Sequence, residues 1–220
     1  MSFIRANLLS FCALGAMIVI SLVLWSQLPE QVPSRFNFQG EVDDYSPRAL
    51  IATLQPLIFA VLIVVVNLLI RISPKKFSMP NSKRAMDTIV FGVGAMMLFL
   101  HLGLLLHGGE FDVFVRFFSW GMALFLLITG NVFGKTERNF FVGLRIPWTL
   151  ASHANWKATH RFMGQLMVAS GLLLLVINTF YSNLWMTVGL CIGPVLAPVA
   201  YSLLYYFRNE RHSGAGESGE

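Results

Sequence analysis

Between Gly130 and Gly164 the chain reads GNVFGKTERNFFVGLRIPWTLASHANWKATHRFMG, which gathers amide, guanidinium, indole and imidazole groups into one basic, glycine-punctuated stretch. Two of its histidines, His153 and His160, raise the question of a metal or a general base. They stand seven residues apart, about two helical turns, whereas a helix-borne metal pair needs a spacing of four. No Cys, Asp or Glu accompanies them on that helix to complete a ligand set. Ser152 and His153 are neighbours in sequence and point apart on a helix, so nucleophile-and-base chemistry finds no geometry either. Without paired carboxylates or a nucleotide loop, the expectation is a protein that is not an enzyme and carries no cofactor, metal or catalytic residue. The candidate binding residues of this segment are Asn131, Arg145, Pro147, Trp148, Trp156 and His160.

The elements that must hold these residues are apolar. Of 220 residues 55% are hydrophobic and 12% charged, with a mean hydropathy of +0.65, too little charge to clothe a soluble globule of this size. A hydrocarbon core about 30 Å thick takes about 20 helical residues. Six apolar runs of that order are present, 8–26, 49–70, 89–106, 117–133, 162–180 and 184–207, none with a charge at its centre. The expected fold is an all-α, polytopic integral membrane protein with six transmembrane helices.

The charges divide by side. Arg5, then Arg71, Lys75, Lys76, Lys83 and Arg84, then Lys135, Arg138, Arg145, Lys157 and Arg161, then Arg208 and Arg211 fall on one side of such a bundle. Arg35, Arg48 and Arg116 share the other with Glu30, Glu41, Asp43, Asp44, Glu110 and Asp112. The positive-inside rule then makes both termini cytoplasmic, and the sequence pI near 9.5 reflects orientation rather than nucleic-acid binding. Cys12 and Cys191 fall at different depths and read as packing thiols rather than a disulfide. Trp25-Ser26-Gln27-Leu28-Pro29 lacks a small-x-small cleavage pattern, so the first run reads as a retained helix.

The first outer connector, 28–48, is acidic and aromatic. Pro29 and Pro33 should hold it extended, Gly40 with Asp43-Asp44 should turn it, and Ser46-Pro47 should cap and open helix two, which Pro56 should bend. Pro29, Pro33, Phe36, Asn37 and Asp43 are its candidate contacts for an extracellular peptide. Asp112 and Arg116, four apart, are placed to pair, and Tyr181-Ser182-Asn183 should join the last two helices as a hairpin. Gly130-x-x-x-Gly134 and Gly189-x-x-x-Gly193 both read as close-packing sites, with Pro194 and Pro198 kinking the last helix. Trp148 should anchor in the headgroup layer.

Inside the runs, His101 reads either as a proton relay or as a histidine hydrogen-bonded between helices, and it has no carboxylate partner in a run. Asn67 and Asn131 fall at similar depth, which allows a shared polar cluster with Asp87 and Thr88. Kinked helices, buried asparagines and His101 would together line the path of a small solute transporter or channel-like protein, the alternative to a binding and signalling role.

The long segment resembles the signature of the SdpI family, bacterial membrane proteins named for an immunity protein against a secreted peptide toxin. The matching residues are Gly130, Asn131, Gly134, Asn139, Gly143, Arg145, Pro147, Trp148, Thr149, Leu150, Trp156, Thr159, His160 and Gly164. The outer connector resembles the family's companion domain of unknown function through Leu28-Pro29, Val32-Pro33, Phe36-Asn37, Gly40 and Asp43. Arg35 and Asp44 depart from it, standing where histidine and glycine are common. The resemblance implies a two-helix region at 1–86 and a four-helix region at 87–212 carrying the signature loop 130–164; the tail at 213–220, small and polar with nothing to bury, reads as disordered. It also implies residence in a bacterial cytoplasmic membrane and resistance to a peptide toxin, with a cytoplasmic repressor held at the membrane; the partners expected are the lipid bilayer, the toxin and the repressor, with no direct contact to nucleic acid.

Overall fold

The computed structural model describes residues 7–72, 80–138 and 142–210. Arg5, Pro74, Lys75, Lys76, Asn139, Arg211 and the tail at 213–220 lie outside the described residues, as does the side chain of Lys83. Each of the six apolar runs lies within a helix or extends one residue or two past its end: α1 (Leu8–Leu24), α2 (Arg48–Ile72), α3 (Pro80–Leu106), α4 (Phe111–Phe133), α6 (His153–Phe180) and α7 (Leu184–Asn209). A short helix, α5 (Pro147–Ala151), precedes α6, and the strands β1 (Gln31–Phe36) and β2 (Val42–Pro47) stand between α1 and α2.

Five of these helices are long and apolar enough to cross a membrane, and α1, with 17 residues, is shorter. Their outward faces carry apolar side chains that a water-soluble protein would bury. Leu22 is 71% exposed, Leu57 61%, Val64 61% and Leu204 67%, which is the surface that lipid solvates.

The helices fit the expected all-α, polytopic membrane fold, and the first outer connector adds a two-stranded hairpin to it. Residues 31–47 form an antiparallel hairpin, with Gln31 opposite Pro47 and Phe36 opposite Val42. Pro33 is extended as expected and Gly40 turns the chain with φ +82°, but Asp43 and Asp44 lie in β2 rather than in the turn. Paired strands satisfy the connector's backbone groups without helix, and Pro33 is tolerated because a two-stranded ribbon has free edges. Pro47 closes β2 and α2 opens one residue later. Pro56 is carried inside α2, buried.

Helix α3 packs chiefly on α4, α4 on α6, and α6 on α7, while α1 lies against α3 and α2. Ala13, Met17, Phe59, Ile63, Val90 and Met97 form the core between the first three helices, and Leu126, Met163 and Met167 the core between α4 and α6. Helices α4 and α6 meet backbone to backbone: a Cβ on Gly164 would stand 2.6 Å from the Gly130 carbonyl oxygen. That confirms Gly130-x-x-x-Gly134 as a close-approach site, since Gly134 also abuts Arg161. The other glycine pair behaves differently. Gly189 and Gly193 have nothing within 4 Å, and α7 continues as helix through Pro194 and Pro198.

Polar side chains pin the helices to one another. Asn7 and Asn67 exchange amide hydrogen bonds of 3.1 Å, so Asn67 pairs with the start of α1 and not with the exposed Asn131. The Ser21 hydroxyl donates to the Ala52 carbonyl and lies 2.8 Å from His101 Nε2, which therefore donates to it. His101 is thus a histidine hydrogen-bonded between helices. Ser119 and Thr187 hydroxyls lie 2.6 Å apart between α4 and α7, and Arg116 Nε donates to Ser182 Oγ instead of pairing with Asp112. Cys12 and Cys191 are free thiols.

Candidate functional site

At the basic end of the bundle, the segment after α4 folds back over the start of α6 as a cap. Its centre is His160, fully buried between Trp156 and Phe133, with the Trp156 ring stacked 4.0 Å away between centroids. His160 Nδ1 lies 2.8 Å from the Trp156 carbonyl oxygen and its Nε2 2.9 Å from the Leu144 amide nitrogen. A carbonyl only accepts and an amide N–H only donates, so the ring is neutral, with its proton on Nδ1. Trp156 Nε1 donates to the Thr136 carbonyl at 3.1 Å, tying the exit of α4 to α6. The chain passes over the imidazole at Gly143, where φ is +122° and an added Cβ would lie 2.2 Å from His160 Nε2.

From there Ile146 and Pro147 start α5, because proline at the first helical position loses no hydrogen bond. Thr149 stitches the turn: its hydroxyl accepts from the Ile146 amide and faces the Leu144 and Ile146 carbonyls at 2.8 and 2.9 Å. Ser152 caps α6 by accepting from the Asn155 amide and donates to a Glu210 carboxylate oxygen. Asn155, fully buried, donates to the Ser202 carbonyl at 3.1 Å and accepts from Thr159 at 3.0 Å. Trp148 Nε1 donates to Ser202 Oγ at 2.8 Å, which ties this indole to α7.

Of the residues singled out from sequence, Pro147, Trp148, Trp156 and His160 therefore build one cap. Arg145 is exposed on its surface, and Asn131 faces outward beside Lys135. Asn155, Ser202 and Glu210 were missed, although an Asn and a Thr four apart on the buried face of a helix, and a Ser inside an apolar run, were signals in plain view.

At the acidic end the hairpin docks on the bundle. Phe36 meets the rings of His107, Phe111 and Phe114 at centroid distances of 5.2, 5.2 and 5.6 Å. His107, buried, accepts from the Gly109 amide at Nδ1, so its Nε2–H donates to the Pro33 carbonyl at 3.1 Å. Burial holds its pKa below the ordinary value of 6.5, against a smaller upward effect of the Pro33 bond. Between the docked hairpin and the turn joining α6 to α7 lies a cavity of about 480 Å³, lined by Phe36, Asn37, Phe38, Asp43, Asp112 and Trp185 among others. Phe38 is 95% and Trp185 70% exposed at its rim. Pro33 is buried beneath the hairpin and Pro29 is exposed outside the cavity. Among the described residues no cluster of three metal-ligating side chains occurs.

A helical bundle with lipid-facing flanks and a structured cap at each end defines a polytopic membrane protein. Residues 135–205 match the model of the SdpI/YfhL protein family, and residues 12–60 match a domain of unknown function, DUF1648. It is similar to the Immunity protein SdpI of Bacillus subtilis (strain 168), 24% identical over 215 residues, spanning 96% of this chain and 99% of that protein. No solved structure matches.

Proposed function

We propose that this chain is a non-catalytic immunity protein of a bacterial cytoplasmic membrane, crossing it six times with both termini inside, that protects its host from a secreted peptide toxin. The observation that carries this reading is the end-to-end similarity to an immunity protein, which takes in both the docked hairpin and the signature cap. The outer cavity supports it. Asp112, and Asp43 in its ion pair with Arg35, stand beside the exposed rings of Phe38 and Trp185, a surface suited to a cationic, amphipathic peptide. Asn37 and Phe36 hold the hairpin in place for that contact, and Pro29 and Pro33 shape its approach.

At the inner end, Arg145 and Asn131 stand exposed beside the rigid cap of Pro147, Trp148, Trp156 and His160, a surface on which a cytoplasmic repressor would dock. The two-helix region 1–86 then senses and the four-helix region 87–212 relays. Transport has no observation of its own in its favour, since His101 spends its Nε2 proton on an interhelical bond.

The test is growth of a toxin-sensitive bacterium expressing the protein, challenged with a panel of cationic membrane-active peptides. Selective rescue is expected, with tenfold or greater loss of resistance in Asp43→Lys/Asp112→Lys at unchanged membrane abundance. Uniform sensitivity across the panel, with the protein present in the membrane, would overturn the immunity reading.

A further inference from the structure

A second cavity, of about 600 Å³, opens on the flank of the bundle where α4 and α6 cross at the basic end. Its mouth carries Lys135 from the exit of α4 and Lys157 and Arg161 from the first turns of α6, all exposed. Among the described residues none of these three cations has a carboxylate within ion-pair reach. Three unpaired cations held together at the edge of a low-dielectric bundle repel one another, and an anion seated among them relieves that repulsion. Asn131 and Gln165 stand just inside as hydrogen-bond partners for oxygen.

Below them the lining turns apolar. Val168, Ala169 and Leu172 continue the same helical face, Leu172 being 54% exposed. From Arg161 to Leu172 the face descends about 16 Å at 1.5 Å per residue, roughly half of a hydrocarbon core and the reach of an acyl chain. The trough exists because Gly130, Gly134 and Gly164 place no side chains over the helix crossing. A free phosphate would find cations here but would leave the apolar half of the cavity empty.

We propose that this cavity is a binding site for one anionic phospholipid, its headgroup phosphate clasped by Lys135, Lys157 and Arg161 and one acyl chain laid along Val168, Ala169 and Leu172. Bound there, the lipid bridges α4 to α6 directly beneath the His160 cap and braces the crossing that the glycines leave thin. The site is separate from the outer cavity and does not depend on the identity of any toxin.

The experiment uses the full chain in detergent micelles, with retained lipid read by native mass spectrometry and stability by thermal melting. The probes are palmitoyl-oleoyl phosphatidylglycerol, phosphatidylcholine of the same chains, and glycerol phosphate. One phosphatidylglycerol is expected to be retained and to raise Tm, with phosphatidylcholine and glycerol phosphate doing neither. Lys157→Gln and Arg161→Gln should each weaken retention about fivefold, in line with the electrostatic worth of one cation near an anionic surface. Ala169→Trp, which fills the trough and leaves every charge in place, should weaken it as well. Arg208→Gln, which removes the same charge from the end of α7, should leave it unchanged. Equal retention of the two phospholipids, a glycerol phosphate effect as large as the lipid's, or an Arg208→Gln loss matching that of Arg161→Gln would each overturn the proposal.

Discussion

At Gly143 two demands coincide: a φ of +122°, which side chains rarely adopt, and a Cβ position 2.2 Å from the His160 ring. Gly143→Ala therefore strains the backbone and drives the imidazole from the Leu144 amide, leaving a part-buried donor unpaired. Roughly 2 to 4 kcal/mol of lost stability is expected, visible as a lower Tm in detergent. Gly15→Ala, where nothing lies within 4 Å, serves as the control and should be neutral or slightly stabilising. The glycine and the histidine are both readable in the sequence, 17 positions apart, but nothing in the string says that one lies over the other. The tautomer of His160 is likewise a tertiary fact, set by a carbonyl on one side and an amide on the other.

The element most at odds with a reading of apolar runs is the hairpin, because its strands are too short and too polar to register as periodicity. Among the contacts that hold it on the bundle are Phe36 among three rings, Val32 packed with Leu28, Ile51 and Leu105, and one histidine bridge. His107 makes that bridge only as the neutral ring, since a proton on Nδ1 would face the Gly109 N–H. Its pKa is lowered in the docked state by burial, so docking is fully supported above the ordinary value of 6.5 and weakens as pH falls below it toward the lowered value. Protease cleavage of the hairpin at Arg35 in right-side-out vesicles should accelerate as pH falls from 7.5 to 5, and His107→Gln should abolish the dependence. A rate flat with pH in the unsubstituted protein would show that the bridge does not govern docking.

For the whole molecule, the division of charge between the two ends settles orientation once the number of crossings is known. Thirteen of the 16 basic residues belong to one side if α1 crosses with the other five, and its 17 residues cover about 25 Å of a core about 30 Å thick. A modest local thinning or the snorkelling of flanking residues closes that gap. Reporters active only in the cytoplasm, fused in turn to each terminus, are expected to be active at both. Activity at the C-terminus alone would mean that α1 lies along the surface and that the hairpin shares a side with the N-terminus.

The sequence by itself determined the solvent, the positions of the helices to within a few residues and a resemblance to the SdpI family, because hydrophobicity, charge bias and a long motif are local and additive. It also marked Gly130-x-x-x-Gly134 as a crossing, yet equally marked Gly189-x-x-x-Gly193, which faces open space. Only the tertiary structure decided between them, as it decided that Trp148 serves α7, that Asn67 pairs with Asn7, and that Phe38, Asp112 and Trp185 share one cavity. The physical reason is the same in each case. Small and polar residues state what a surface can do, but partners far apart in the chain come together only when the packing of whole helices brings them to the same depth and the same face.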